Sequence, residues 1–424
     1  MFLRDTRTRS ACVSGEEERF SLTHASSRQL GNRIDFLALP LLAATTLHAS
    51  AFDVSMLRIL QTLAYLLLGL QVGAWCDRMR NRPILIVADL GRAVAYATVP
   101  IAAAFGALTL WQVYIVVAVA GVLGVFFEVA HQTYLPRLVE REDLTEGNAR
   151  LQANISVAAL AGPSAAGFLV QFFSAPGAVA ANAVSFLWSA SWLKGIRTRE
   201  PRLVRAARVP VRRDIADGLR YLRRQPILST FAITATLVSL FQSMQIVVGV
   251  LFLLRDVGLS PGAIGLVSTT GLVGAVLGAL SARRLGTWAG EARMIRLAAL
   301  PFALGYPMLP LTGSGWQLVW YPLGTFLASF AITVMNVLQV SFQQATTPEG
   351  LRGRLNATMK FLIFGVAPLG SLLGGVLATS TGLRTTLWIA AAGLMFSMVF
   401  LVFSPLRRMR DLPAGRLVSG STRP

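Results

Sequence analysis

Apolar stretches long enough to cross a bilayer recur along the whole chain, and no other feature constrains its fold as much. About 20 apolar residues in a helix cover the roughly 30 Å of hydrocarbon. Twelve stretches approach that length, at about 29–50, 54–76, 83–105, 109–132, 151–173, 177–194, 227–254, 261–282, 294–313, 316–341, 358–380 and 384–404. The first is the weakest. Arg28, Arg33 and Asp35 lie in or beside it, and its charge-free part runs only from Phe36 to Phe52. Its arginines are expected to snorkel toward the headgroups. The expected fold is all-α, with twelve transmembrane helices.

Charge then sets the orientation. Only 14% of the 424 residues are charged, against roughly 25% in soluble chains. The net charge of +19 would suggest nucleic acid in a soluble protein. Here it follows from topology. With both termini inside, thirty-five of the 39 Lys and Arg residues fall on the inner side, Arg92 lies within the third span, and only Arg58, Arg255 and Arg384 remain for the outside. That is the positive-inside bias of a multi-pass plasma (inner) membrane protein with cytoplasmic termini, and no nucleic-acid partner is expected. The inner arginines are also expected to meet anionic lipid. Cys12 and Cys76 fall on that side, where no disulfide is expected. His24, His48 and His131 are scattered, so no metal site is expected. The first 19 residues have no apolar core, so the first span, not a cleaved signal peptide, is expected to start insertion.

The longest polar interval divides the spans six from six. The resulting segments are a tail at 1–28, an N-terminal bundle at 29–194, a linker at 195–226, a C-terminal bundle at 227–404 and a basic tail at 405–424. Shifting the chain on itself by 205 residues places Gly69 on Gly274, Gly73 on Gly278, Arg78 on Arg283 and Pro163 on Pro368. Two pseudo-symmetric six-helix halves follow, an arrangement that in transporters puts the substrate site at the interface near the midplane. In the linker, Ile215, Leu219 and Leu222 recur at helical spacing among Arg212, Arg213, Arg220, Arg223 and Arg224, the pattern of a helix lying in the headgroup layer.

Between the second and third spans stands "GAWCDRMRNRP", a glycine followed by Asp-Arg and further bases. It resembles the loop 2–3 motif of the major facilitator superfamily. "AGPSAAG" at 161–167 resembles the span-five motif of that superfamily's proton-coupled exporters. "RIDFLALPLL", "LPRLVEREDLTEGNARL" and "LRGRLNATMKFLIFGVAPLGSLLGG" are similar to the branch that holds the enterobactin exporter and bacterial macrolide efflux proteins. The resemblance implies the major facilitator fold and alternating access. It also implies that Asp77 meets the start of span eleven, where a helix N-terminus attracts a carboxylate and Arg352 and Arg354 stand close by. Gly73, Asp77, Arg78, Arg82, Arg352 and Arg354 would form an inner latch between the halves. The plain alternative is a solvated topology signal.

Gly162, Pro163 and Gly167 are candidates for a pivot, since small residues let helices approach and proline removes a backbone hydrogen bond. Mere packing is the alternative. Charges inside spans are the sharpest functional signal, at about 2.5–3.5 kcal/mol each on insertion scales. Glu128, with His131 on the same face, is a candidate proton carrier, or else a structural partner of an arginine such as Arg92. Asp35 is a second carrier candidate, with local pairing to Arg33 beside it as the alternative. Asp89 and Arg92, at i and i+3, read as a structural ion pair. Gln132, Asn154, Gln242, Gln245 and Asn336 are candidates to line a substrate cavity, with Asn182 and the aromatics Phe126, Phe127, Trp188 and Phe241 as further possibilities. Such a cavity is mostly apolar and suits a hydrophobic or amphipathic small molecule.

No catalytic signature is present: there is no G-x-S-x-G, H-E-x-x-H or phosphate loop, and the only lysines are Lys194 and Lys360. The chain reads as a monomeric secondary transporter without cofactor, driven by a proton gradient and exporting a drug, antibiotic or siderophore. A lipid flippase, an importer of the same fold and a membrane scaffold or sensor are the rival classes.

Overall fold

The computed structural model describes residues 35–76, 79–138, 144–195 and 219–411. Among them every regular element is a helix. Hydrocarbon offers no partner to backbone N–H and C=O groups, so a spanning segment must bond them internally, and an apolar run of this length does so as a helix. The elements are α1 (Asp35–Thr45), α2 (Ala51–Cys76), α3 (Asn81–Ala104) and α4 (Leu110–Leu138), then Leu144–Gly195, which breaks at Ser174 into α5 (144–173) and α6 (175–195). After the linker come α7 (Pro226–Arg255), α8 (Pro261–Ala289), α9 (Glu291–Met308), α10 (Trp320–Thr346), α11 (Glu349–Thr381) and α12 (Leu383–Val402). Among the described residues nine stretches, with the run through Ser174 counted as one, are long and apolar enough to cross a membrane. The expected first span is short, and the expected ninth begins on Glu291, Arg293 and Arg296.

The break between α5 and α6 is a single residue. Ser174 has φ 66° and ψ 167°, and the junction of α11 and α12 repeats that conformation at Gly382, with φ 89° and ψ 162°. The two halves thus turn at equivalent places in the same way. A side chain is tolerated poorly there, and only the second half has the glycine that this backbone region favours.

Two compact units are formed. Among the described residues, one takes in 35–49, 60–195 and 260–265, and the other 50–59, 219–259 and 266–411. In the first, α3 packs against α4 and the α5–α6 run, and Val72, Leu85, Val125, Phe127 and Leu193 are buried together. In the second, α7 packs on α11 and α12, and α9 on α10. Lipid is as apolar as leucine, so these faces hold by close van der Waals contact through small residues. A Cβ at Gly370 would lie 2.0 Å from the Leu240 carbonyl oxygen, and one at Gly274 or Gly278 would lie 2.4 or 2.5 Å from those of Phe326 and Phe330. The first-half counterpart of Gly274, Gly69, faces open space instead.

A short helix at 219–224 precedes α7. Leu222 is buried, its carbonyl accepts from the Ser229 hydroxyl at 2.6 Å, and the Tyr221 hydroxyl donates to the Thr346 carbonyl at 3.4 Å. Arg220, Arg223 and Arg224 are exposed, so the segment is amphipathic. Ile215, Arg212 and Arg213 lie outside the described residues.

Candidate functional site

Asp35, Asp89, Arg92, Asn182 and Ser189, all buried in the N-terminal unit, converge on one place. On α3, Asp89, Arg92 and Tyr96 stand at i, i+3 and i+7, which is one helical face. On α6, Asn182, Phe186 and Ser189 repeat that logic at i, i+4 and i+7. The two faces meet with Asp35 of α1 and Phe127 of α4. Asp89 pairs with the Arg92 guanidinium and accepts from the Ser189 hydroxyl. The guanidinium lies between two rings, 4.4 Å from the Phe186 centroid and 4.9 Å from that of Phe127. A desolvated cation over ring faces gains electrostatic stabilisation from their quadrupoles.

Asp35 sits at the other end of the cluster. The Asn182 Nδ2 and the Tyr96 hydroxyl both donate to its carboxyl, and Arg92 acts on it through space. Asn182 is itself oriented, because its Oδ1 accepts from the Ser185 hydroxyl at 3.1 Å. Tyr96 is stacked on Phe186, with centroids 5.7 Å apart. Asp35 keeps 8% of its surface exposed and Asp89 none. The cluster therefore holds two acids and one base, of which Asp35 is the most exposed and Asp89 the least.

The other carrier candidates lie on α4. Glu128 is half-buried, and His131 stacks on Phe127 with centroids 5.7 Å apart. Both are engaged by neighbours.

The C-terminal unit has a neutral counterpart. Gln242 Nε2 donates to the Tyr306 hydroxyl at 2.9 Å, and Gln245 is hydrogen-bonded to Tyr321. Gly249, one turn beyond Gln245, makes room: a Cβ there would lie 2.8 Å from the Tyr321 hydroxyl oxygen. Tyr306 and Tyr321 are buried. Gln242 and Gln245 were expected at a cavity, and in this structure each engages a tyrosine of its own unit. Asn336 is exposed on α10. The side chains of Gln132 and Asn154 lie outside the described residues. Of the aromatics, Phe127 belongs to the buried cluster, Phe126 stacks on Trp75 at 5.9 Å, and Trp188 is exposed. Phe241 packs so tightly on α12 that a Cβ at Gly393 would fall 2.2 Å from its ring.

For the latch, Asp77 and Arg78 lie outside the described residues, while Gly73 falls near the end of α2. Arg82 binds within its own unit: its Nε donates to the Leu193 carbonyl at 3.0 Å and its Nη2 to the Lys194 carbonyl at 2.8 Å. A cation on the last carbonyls of α6 caps that helix and offsets its dipole. Arg352 Nε donates to the Thr347 carbonyl at 3.1 Å, and Arg352 and Arg354 make further contacts.

The pivot candidates pack closely. A Cβ at Gly167 would lie 2.4 Å from the Pro261 carbonyl oxygen, and one at Gly265 equally close to that of Pro163. Gln171 accepts from the Gly262 N–H at 3.0 Å. Residues 260–265 fall in the same unit as α5, and Gly162 is buried.

Tyr96, Tyr306, Tyr321, Phe186 and Ser189 were not singled out by the sequence. The available signal was spacing: Tyr96 falls one turn after Arg92, on the face already marked by Asp89.

A protein family described as transmembrane secretion effector matches residues 28–416. The chain is 27% identical over 401 residues to the multidrug efflux pump Tap of Mycolicibacterium fortuitum, covering 90% of this chain and 94% of that one. It is 23% identical over 374 residues to macrolide efflux protein A of Streptococcus pyogenes, covering 86% and 89%. Its fold is similar to the crystal structure of a point mutant of the nucleoside transporter NupG, with a TM-score of 0.73 at 12% identity over 91% of this chain and 99% of that one.

Proposed function

The chain belongs to the transmembrane secretion effector family of major facilitator transporters, and from that premise we propose that it exports a small hydrophobic or amphipathic molecule in exchange for protons, with Asp35 as the proton carrier. It is a multi-pass membrane transporter and not an enzyme. Efflux is the activity named for the relatives Tap and macrolide efflux protein A, and it supports the direction proposed here. Both termini are taken to be cytoplasmic on the distribution of Lys and Arg.

The charge count of the buried cluster carries the proton reading. Asp89 is matched by Arg92 and Ser189. Among the described residues, the direct donors to Asp35 are the neutral groups of Asn182 and Tyr96, with Arg92 acting through space, so within this cluster ionising Asp35 adds a second negative charge against one guanidinium. Isolated charge in a low-dielectric interior is expensive, and a proton removes it. Binding and loss of that proton would change how α1, α3 and α6 are held together, giving the two states of a transport cycle different energies. One proton per turn is the expected stoichiometry. The Gln242–Tyr306 and Gln245–Tyr321 pairs of the C-terminal unit join amides to phenols, which suits solute recognition better than proton binding.

The test uses inside-out vesicles with a macrolide and an aromatic cationic dye as probes. An imposed pH gradient should drive accumulation of at least one of them, a protonophore should abolish it, and Asp35→Asn should lose gradient-driven accumulation while downhill flux persists. Accumulation that survives both the protonophore and Asp35→Asn would refute the proton coupling. Glu128→Gln serves as the second arm, and loss there with Asp35→Asn intact would move the carrier to α4.

A further inference from the structure

We propose that the groove between the linker helix at 219–224 and α7 is a binding site for an anionic phospholipid of the leaflet in which that helix lies. The groove has a volume of about 390 Å³ and is walled by Leu219, Leu222, Ala232, Ile233, Leu237 and Leu362, with Arg223 at one end. Its other two wall residues are polar only in name. The Ser229 hydroxyl donates to the Leu222 carbonyl at 2.6 Å, and the Thr236 hydroxyl donates to the Ala232 carbonyl at 2.7 Å. Neither needs water, so the wall offers an occupant little but hydrocarbon.

Depth and charge point to a lipid. The groove follows α7 from Ser229 to Leu237, which at 1.5 Å per residue is about 12 Å, within the roughly 15 Å of hydrocarbon in one leaflet. Arg223 lines the groove and Arg220 and Arg224 stand exposed on the same short helix, and no acidic residue occurs between 219 and 237. A guanidinium grips phosphate with two parallel hydrogen bonds. An acyl chain along α7 and a phosphate at Arg223 and Arg224 would match both features at once. The site lies on the C-terminal unit alone and does not depend on the direction of transport or on Asp35.

The proposal is tested on the full-length protein in mild detergent by native mass spectrometry, with phosphatidylglycerol and phosphatidylcholine offered at equal concentration. Phosphatidylglycerol should be retained and should raise the melting temperature. Arg223→Gln with Arg224→Gln should lower its retention roughly ten-fold or more, the loss expected when two arginines stop facing a phosphate. Ile233→Trp, at a position 46% exposed and tolerant of bulk, should lower the retention of both lipids by filling the groove. Loss in the arginine variant with none in Ile233→Trp would mean headgroup attraction to a basic surface and would overturn the site. Equal retention in all three proteins would mean that the groove holds something else, the transported solute or residues 196–218 of this chain, and would overturn it as well.

Discussion

Arg92 ties three elements of the N-terminal unit together, because one guanidinium meets a buried carboxylate and two ring faces at once. Removing one partner of a buried ion pair leaves the other charge stranded, whereas replacing both with apolar groups is often close to neutral. Arg92→Leu should therefore cost about 3–5 kcal/mol, read as a fall in melting temperature in detergent. Arg92→Leu combined with Asp89→Leu should recover much of it, and a double variant no better than the single would argue against stranded charge as the cause. Tyr96→Phe removes one neutral hydrogen bond to Asp35, worth about 1 kcal/mol, and should leave the fold intact while altering the pH dependence of transport. The Asp89–Arg92 contact was legible in the sequence, since i and i+3 on a helix are neighbours whatever surrounds them. The bond from Asn182 to Asp35 was not. It joins residues 147 apart, and which face of α6 meets α1 depends on how four helices rotate together.

At the scale of the element, the helices are the most predictable part of the chain and their junctions the least. The spans at 151–173 and 177–194 were read from apolar length, yet nothing in that length shows that a single residue would separate them. Ser174 occupies a backbone region that in the equivalent junction is held by Gly382. Ser174→Gly should relieve strain of about 1–3 kcal/mol and raise the melting temperature; an unchanged or lower value would mean that the serine side chain supports the turn. The contact of α7 with α11 is close enough that Gly370→Ala should destabilise the C-terminal unit by about 1–3 kcal/mol, since the obstructing atom is the backbone oxygen of Leu240 and not a movable side chain. Arg82 shows the limit of motif reading. The loop motif implied a partner across the halves, and the described contacts of Arg82 cap α6 in its own unit.

For the molecule as a whole, the two halves share an architecture and differ in chemistry. In each half the first helix presents a polar group that the tyrosine of the third helix meets, Asp35 with Tyr96 and Gln242 with Tyr306. One turn before the tyrosine stands Arg92 in the first half and Phe302 in the second. The repeat thus keeps the position and drops the charge, consistent with one titrating half and one neutral half. Orientation is tested by labelling in a background with Cys12 and Cys76 replaced by serine. A cysteine in place of Trp316, which is 73% exposed, should react with an impermeant thiol reagent in intact cells, and one in place of Arg407 only after permeabilisation. The reverse pattern would invert the topology and the proposed direction with it. By itself the sequence determined that the chain spans a membrane as helices, where most of them run and how the positive charge is distributed. Each of these depends on how a local segment partitions between water and hydrocarbon. Only the tertiary structure decided which polar groups meet, because in a bilayer every buried polar side chain seeks a partner and the available partners are set by helix rotation and close packing.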